Sequence, residues 1–289
     1  MTDKSIETVL DAAYEWERCH PDRVYMTQPT GDGDVVDFTW GDTLQQARRM
    51  AAYLRSLDLP DNSQIALISK NCAHFIICDL AIWMAGHATV ALYPTLNAET
   101  VRYILEHSES RLVFIGKLDD WEEMAPGVPE DLPRVAMPLA PKTDYPRWDD
   151  IIASFDPISD SPSPPPEQLA LICYTSGSTG RPKGVMHSFA SISVPGQHFG
   201  RELEVNSSDR VLSYLPLAHV MERAVVECSS FYSGIHIYFA DRLDTFVEDL
   251  RRARPTVFLS VPRLWLKFQM GVFQKFPEQK LARLLKLPI

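Results

Sequence analysis

The sequence predicts an α/β protein with mainly parallel sheets flanked by helices. Two observations predict this class. Short apolar runs alternate with segments of helical periodicity, and the same alternation resumes after a proline-rich interruption. We therefore expect two α/β subdomains, each with its own sheet. The predicted boundaries are 1–118 for the first subdomain, 119–167 for a proline-rich connector and 168–289 for the second subdomain.

The first half contains three predicted helices and three predicted strands. Apolar residues from Leu44 to Leu54 recur at helical spacing ahead of Pro60, which predicts an amphipathic helix over 43–57. Asn97 is a favoured N-cap residue type, so another helix is expected to begin there. The other predicted elements are strands at 64–69, 89–92 and 111–115 and a helix at 73–85.

The connector is identified by its prolines, which concentrate in 157–166. Proline has no backbone N–H and a fixed φ, so this run is expected to be extended rather than helical. Beyond it, strands are predicted at 169–174, 210–215, 235–239 and 256–260. They alternate with helices that begin near Ser188, after Ala218 and around Leu243.

Composition and charge exclude several classes of protein. With 289 residues, 45% of them apolar, the chain can bury the core of one large domain or two smaller ones. A formal net charge of -10 gives no global attraction to nucleic acid or to an anionic membrane. An anionic ligand therefore has to be held by local positive groups and oriented N–H dipoles.

Cysteine usage and hydropathy indicate a reduced, cytoplasmic setting. The five cysteines are odd in number and contain no Cys-x-x-Cys pair, which disfavours a disulfide framework or a zinc site. The N-terminus lacks a cationic, apolar leader, so export is not expected. The uncharged stretch 80–98 is interrupted by Gly86, His87 and Pro94, so we expect no membrane-spanning helix.

The most informative segment is 174–184, with the sequence Tyr-Thr-Ser-Gly-Ser-Thr-Gly-Arg-Pro-Lys-Gly, directly after an apolar strand. Glycines allow the backbone to turn with positive φ and expose its N–H groups, hydroxyls add donors, and Lys183 adds a mobile cation. This chemistry predicts a polyphosphate cradle for ATP. The alternative is a solvated Ser/Gly loop, although such a linker needs no Pro-Lys-Gly in this order. The spacing is not that of a Walker A loop.

The order of residues in 174–184 resembles the phosphate-binding signature of the adenylate-forming enzymes, which include acyl-CoA synthetases and nonribosomal-peptide adenylation domains. A second segment, 215–223, reads Leu-Pro-Leu-Ala-His-Val-Met-Glu-Arg, and 260–265 reads Ser-Val-Pro-Arg-Leu-Trp. Both are similar to segments of long-chain acyl-CoA synthetases. Together they narrow the resemblance to the fatty-acid branch of the superfamily.

The resemblance assigns roles to individual positions. It implies that Lys183 and His219 are catalytic and that Ser178 also contacts Mg²⁺, which prefers oxygen ligands. The residues it implies for ATP binding are Thr175, Ser176, Gly177, Ser178, Thr179, Gly180 and Lys183.

His219 follows a predicted strand that ends at Pro216, which places it at the carboxyl edge of a parallel sheet, where open α/β folds bind ligands. In the resembled family the matching residue borders the reacting carboxylate and the adenylate. The resemblance therefore implies that His219 orients the substrate and stabilises charge rather than acting as a general base. The alternative is a histidine that only caps the next helix. Glu222 and Arg223 either pair inside the fold or face water.

The resemblance implies a long-chain fatty-acid–CoA ligase. Its co-substrates and cofactors are a fatty acid, ATP, Mg²⁺ and coenzyme A, with no nucleic acid. A fatty carboxylate attacks the α-phosphorus of ATP to give acyl-AMP and pyrophosphate, and the thiol of coenzyme A then displaces AMP.

The chain carries only the first half of the family pattern. The Tyr-Gly-x-Thr-Glu and Thr-Gly-Asp segments and the C-terminal catalytic lysine do not follow, so we expect an N-terminal portion that is inactive alone. Two alternatives stay open: a nucleotide-binding module without turnover, or an adenylating enzyme with another acyl acceptor, as in carboxylic acid reductases.

The terminal stretch 263–289 combines basic with aromatic and aliphatic residues. It predicts either peripheral contact with an anionic membrane or packing against the rest of the domain.

Overall fold

The computed structural model describes residues 7–31, 33–175 and 180–276, together with 281 and 283. It divides the chain into two compact units, 1–256 and 257–289. The described strands all belong to the first unit. They are β1 (Val24–Gly31), β2 (Asp34–Thr39), β3 (Gln64–Ile68), β4 (Ala88–Leu92), β5 (Leu112–Ile115), β6 (Arg134–Ala136), β7 (Leu169–Thr175), β8 (Lys183–Ser188), β9 (Arg210–Ser213) and β10 (His236–Phe239).

Helices alternate with these strands for most of the chain, which confirms the predicted α/β class. A short 3₁₀ turn occupies Ala125–Gly127, and a π-helical segment occupies Arg223–Cys228. The α-helices are α1 (Val9–Cys19), α2 (Trp40–Ser56), α3 (Ala73–Met84), α4 (Ala98–His107), α5 (Trp121–Met124), α6 (Trp148–Ser154), α7 (Phe189–Glu202), α8 (Val220–Glu222), α9 (Ser229–Ser233), α10 (Phe246–Ala253) and α11 (Pro262–Lys275).

Two sheets are formed, in the orders β2-β1-β10-β9 and β6-β5-β3-β4-β7-β8. Neighbouring strands are parallel except for two edge pairs, β1 with β2 and β7 with β8. The sheets are thus mainly parallel, as predicted. Helix α3 contacts both β1 and β4, one strand from each sheet. All twelve of its residues are buried.

Each sheet takes strands from both sides of the connector, so the expectation of a separate sheet in each half is wrong. Strand β7 pairs with β4, and β10 pairs with β1. The physical reason is the hairpin of β1 and β2, which the periodicity did not indicate. Without it, β9 and β10 would form a two-stranded sheet, which is rarely stable alone.

Predicted helices in the first half agree with the structure. Helix α2 begins at Trp40, three residues before the predicted start, because Thr39 and Asp42 form a capping box. Helix α3 lies within the predicted range 73–85. Asn97 caps α4 as expected, since its Oδ1 accepts a hydrogen bond of 2.9 Å from the Thr100 N–H.

The predicted strand at 256–260 is wrong. In this segment only Val257 forms a bridge. The Thr256 hydroxyl accepts a hydrogen bond of 2.9 Å from the Arg210 N–H, while the Thr256 N–H donates to the Arg210 carbonyl. A side chain therefore takes the place of a main-chain acceptor, and the ladder does not continue past this contact.

The connector is partly structured. Its first part contains α5, α6 and the short strand β6, which extends the six-stranded sheet beside β5. The run 157–166 contains neither helix nor strand, as its prolines predict.

In the second unit, α11 exposes large apolar side chains, among them Trp265, Leu266, Met270 and Phe273. Both interpretations of the terminal stretch, contact with an anionic membrane and packing against the rest of the domain, would lead to exposed apolar side chains here. None of the helices in the described residues combines the length and apolar character needed to cross a bilayer. The five cysteines are free thiols, and four of them are buried.

Candidate active site

The two stems of the predicted phosphate loop are β7 and β8, and the second of these strands was not predicted. Thr175 at the end of β7 lies opposite Lys183 at the start of β8 in an antiparallel pair. Both residues are exposed. Strands β7 and β8 therefore form an antiparallel hairpin, and Lys183 lies where the predicted loop joins its second strand.

Inside the predicted loop, Ser176, Gly177, Ser178 and Thr179 lie outside the described residues, and their roles stay predictions. Gly180 has φ of 89°, a conformation that favours glycine, and no atom lies within 4 Å of a Cβ built on it. Lys183 forms no ion pair with the described residues. An anionic ligand would thus meet an uncompensated cation here.

Helix α4 contacts the chain on both sides of the predicted loop, at Tyr174 in β7 and at Arg181 just before β8. The Tyr174 hydroxyl lies 2.7 Å from His107 Nδ1, and the Arg181 guanidinium lies 5.5 Å from the centre of the Tyr103 ring. Burial raises the pKa of Tyr174 to about 12, so the neutral phenol can donate to His107. Sequence reasoning missed these contacts, because Tyr103 and His107 precede the loop by about 70 residues.

Position 184 requires glycine because the side chains of Ile172 and Tyr174 lie close to its backbone, and not because of its φ. A Cβ at this position would lie 2.9 Å from Ile172 Cγ2 and 3.2 Å from Tyr174 Cζ. Any larger residue would displace the Tyr174 ring, whose hydroxyl is hydrogen-bonded to His107 of α4. The glycine that ends the motif therefore keeps the base of the loop in place.

His219 lies in the turn between β9 and α8 and is exposed. Its N–H donates to the Pro216 carbonyl at 2.8 Å, and its Nδ1 accepts from the Met221 N–H at 3.1 Å. The helix-capping contact of the alternative interpretation is therefore present. Because Nδ1 is an acceptor, the neutral ring carries its proton on Nε2.

Asn71 connects this turn to the other sheet, and sequence reasoning missed it. It follows β3 and is 8% exposed. Its Nδ2 donates to Ser213 Oγ at 2.8 Å and to the Leu215 carbonyl at 2.6 Å, and its Oδ1 accepts from the Leu217 N–H at 2.8 Å.

The loop and the His219 turn lie at the same edge of the structure. Strands β3, β4 and β7 are adjacent and parallel, with Leu67, Ala91 and Cys173 in one row. The carboxyl ends of β3 and β7 are thus about 10 Å apart, two strand spacings. Asn71 follows the first and Thr175 ends the second. The two motifs converge at the edge where open α/β folds bind ligands.

A cavity of about 260 Å³ opens at this edge. It is bounded by residues at the carboxyl ends of strands from both sheets. Lining residues include Asn71, Pro94, Tyr214, Pro216, Leu243 and Phe246.

Arg223 is buried in an ion-pair cluster, so its water-facing interpretation is wrong. Its Nη1 donates to Asp79 Oδ2 at 2.8 Å and to Glu227 Oε2 at 3.0 Å, and the side chains are at most 1% exposed. Burial alone would lower the pKa of Arg223, but Asp79 and Glu227 raise it. Burial also raises the pKa of Glu227 well above its ordinary value.

Glu222 is buried as well. Its Oε1 accepts from Ser213 Oγ at 2.8 Å and from the Tyr214 N–H at 3.2 Å. Burial raises the pKa of Glu222 to about 8, although these hydrogen bonds oppose the shift. Both residues at the end of the second motif therefore belong to the interior.

The described residues contain no cluster of three or more histidine, cysteine or acidic side chains that could hold a metal ion. Ser178, the predicted magnesium contact, lies outside them. The oxygen donors that fit Mg²⁺ at this site are hydroxyls of the loop, with phosphate and water supplying the others.

Two relatives at about 30% identity carry names from fatty-acid activation. Fatty acyl-CoA synthetase A of Dictyostelium discoideum is 32% identical over 252 residues, which cover 81% of this chain and 38% of the relative. Long-chain-fatty-acid–CoA ligase FadD15 of Mycobacterium bovis is 30% identical over 273 residues, covering 90% of this chain and 44% of the relative. The chain therefore spans about two fifths of these proteins.

Solved structures share the fold. The anthranilate CoA ligase AuaEII in complex with anthranoyl-AMP superposes with a TM-score of 0.77 at 19% identity, over 87% of this chain and 49% of that one. ATP-bound MatB from Rhodopseudomonas palustris gives 0.74 at 19% identity, over 90% and 50%. The family described as AMP-binding enzyme matches residues 14–287. Nearly the whole sequence lies within that match, and the chain belongs to the AMP-binding enzyme family.

Proposed function

We propose that this chain forms the phosphate-binding and carboxylate-binding part of an AMP-forming long-chain fatty-acid–CoA ligase. The observation that carries the proposal is the convergence of the loop stems and the His219 turn at one sheet edge. The names of the two relatives at about 30% identity support a fatty acid as the substrate. The solved structures of AuaEII with anthranoyl-AMP and of MatB with ATP support a nucleotide or acyl adenylate as a ligand of this fold.

The proposed reaction needs positioning and charge neutralisation more than covalent chemistry by the protein. An oxygen of the fatty carboxylate forms a bond to the α-phosphorus, and the bond from that phosphorus to the leaving pyrophosphate breaks. The coenzyme A sulfur then bonds to the acyl carbon as AMP leaves, and the thiol proton is released. When bound, Mg²⁺ would neutralise part of the charge on the phosphates.

Two groups of this chain would act directly. Lys183, exposed at the mouth of the hairpin, would donate to phosphate oxygens through its ammonium group. His219 would donate its Nε2–H to the carboxylate or to the phosphate oxygen on which charge develops, since its Nδ1 is occupied by the Met221 N–H. Thr175, together with Ser176, Ser178, Thr179 and the N–H groups of Gly177 and Gly180, would complete the phosphate cradle.

Trapping of acyl-AMP by hydroxylamine, with palmitate and ATP, tests the proposal. The assay is run on this chain and on the complete reading frame that contains it, and ATP binding is measured on the same samples. Palmitoyl hydroxamate from either polypeptide supports the ligase. ATP binding by both polypeptides without hydroxamate from either supports the nucleotide-binding module. Absence of both ATP binding and hydroxamate would overturn both functions.

The acyl acceptor is identified in a second step. Consumption of acyl-AMP by coenzyme A, with a thioester as product, supports the ligase. Consumption only with NADPH and a phosphopantetheine carrier would instead indicate an enzyme of the carboxylic acid reductase type.

A further inference from the structure

We propose that Asn71 is a positioning residue for His219 and that it acts through a buried hydrogen-bond chain from Asn71 to Ser213 and Glu222. The proposal rests on the proposed function only for the part that His219 plays in the reaction. The geometry of this hydrogen-bond chain does not depend on the proposed function. All three side chains are at most 8% exposed.

The amide of Asn71 has a defined orientation. The Leu217 N–H requires an acceptor, which must be Oδ1, and the Leu215 carbonyl requires a donor, which must be Nδ2. The second hydrogen of Nδ2 points to Ser213 Oγ. One side chain thus binds the turn that precedes His219 at three points.

Ser213 carries the contact across the turn. Its hydroxyl accepts from Asn71 and donates its own hydrogen to Glu222 Oε1, which also accepts from the Tyr214 N–H. Glu222 lies three residues after His219, and Leu217 lies two residues before it. The backbone on both sides of His219 is therefore tied to one buried network.

The network holds a residue that has little other support. The His219 side chain is exposed, and its Nδ1 accepts a hydrogen bond from the Met221 N–H, while the His219 backbone N–H donates to the Pro216 carbonyl. Its direction therefore depends on the path of the turn. A displacement of about 1 Å at a reacting group can lower a rate about a hundredfold.

Asparagine is the residue type that this position requires. Aspartate would place a carboxylate oxygen against the Leu215 carbonyl and would lose both donors. Alanine would leave the Leu215 carbonyl and the Leu217 N–H without their partner in a buried site.

The first test measures the imidazole of His219 directly, by long-range ¹H–¹⁵N correlation on this chain. The variant His219→Gln identifies its signals. The native ring is expected to populate the Nε2–H tautomer, and Asn71→Ala and Ser213→Ala are expected to shift it towards a mixture of tautomers. Unchanged ring signals in both variants would overturn the proposal, whether or not the protein is a ligase.

Ser193→Ala is the matched control. Ser193 is similarly buried, and its hydroxyl accepts from the Val9 N–H rather than from a residue of the Asn71–Ser213–Glu222 network. This variant is expected to leave the His219 signals unchanged. If Asn71→Ala does not fold, Ser213→Ala alone decides, because it preserves the bonds of Asn71 to Leu215 and Leu217.

The second test uses acyl-hydroxamate kinetics in the polypeptide that shows activity. Asn71→Ala is expected to lower kcat about tenfold to a hundredfold with little change in KM for ATP. In the background of His219→Ala the same substitution is expected to have no further effect on kcat. Multiplicative losses in the double variant would overturn the proposal. Absence of hydroxamate from the native protein would instead count against the proposed function, and the spectroscopic test would still decide the role of Asn71.

Discussion

Arg223 and Asp79 form an ion pair of 2.8 Å that is closed to solvent and joins the π-helical segment to α3. The two residues are 144 positions apart in the chain. Phe75, also on α3, lies with its ring 5.1 Å from the Arg223 guanidinium. The segment that begins four residues after His219 is therefore fixed to the most buried helix of the fold.

Removal of one partner of this pair should be strongly destabilising. Arg223→Met leaves Asp79 and Glu227 buried without their cation, and we expect the free energy of unfolding to fall by about 3–5 kcal/mol. Urea unfolding followed by tryptophan fluorescence measures the change. Arg18→Met removes a pair on the exposed surface of α1 and should leave the urea midpoint unchanged. Equal midpoints for the two variants would contradict the structural role given to Arg223.

Glu222 should make stability depend on pH. Its pKa is raised to about 8 in the folded protein, above its ordinary value of 4.5, so the folded state keeps the proton that the unfolded state releases. Its contribution to stability is complete below pH 4.5 and is lost as the pH rises to about 8. The predicted slope is about 1.4 kcal/mol for each pH unit.

Glu222→Gln isolates this titration. The glutamine mimics the protonated side chain, so the stability of the variant relative to the native protein should increase with pH across this range. Burial lowers the pKa values of His74 and His236 to about 4, so these residues make stability rise with pH, opposite to Glu222. Comparing the variant with the native protein at each pH cancels their contribution. Urea midpoints at pH 5, 6.5 and 8 provide the measurement, and parallel pH profiles of variant and native protein would contradict the assignment.

Lys183 should contribute to ATP affinity. If its ammonium makes a charged hydrogen bond to the phosphates, Lys183→Ala should weaken binding by about 1.5–3 kcal/mol, or about tenfold to a hundredfold. Titration calorimetry on the polypeptide that binds ATP measures the loss. Lys142→Ala, which removes an exposed lysine of the connector, is the control. Unchanged ATP affinity in Lys183→Ala would show that Lys183 does not contribute to the phosphate-binding site.

The contact between α4 and the loop should limit the opening of the hairpin. Tyr103→Leu removes the ring beneath Arg181, and amide exchange in a peptide covering 174–184 should become faster. Tyr53→Leu removes a ring that packs edge-on against Phe155 elsewhere in the fold and serves as the control. If both substitutions leave exchange in 174–184 at the native rate, α4 does not hold the loop.

The elements that could be predicted from the sequence are those with local signals. Helix α2 shows apolar periodicity, α4 shows an N-cap residue, and 157–166 shows prolines. The glycine at position 180 and the edge location of His219 also follow from local reasoning, because backbone conformation and strand polarity are local properties.

The rest depends on pairings between distant parts of the chain. Nothing near β7 in the sequence indicates that β4 is its neighbour, and nothing near Asn71 indicates that it binds the turn at Leu215. Strand β8 was missed because an exposed edge strand carries no apolar run. Arg223 was left open because burial of a charge becomes visible only when its partner on α3 is known.

The pairing of β1 with β10 has a consequence for biosynthesis. Met26 lies opposite Ile237, so the first hairpin leaves the ribosome with one edge bare and meets its partner only after roughly two hundred further residues have been made. At about 5–20 residues per second this interval is about 10–40 s. A nascent chain stalled in that interval would display an unpaired strand whose Tyr25 and Met26 are buried in the folded protein, and we expect such chains to be captured by chaperones that recognise extended segments.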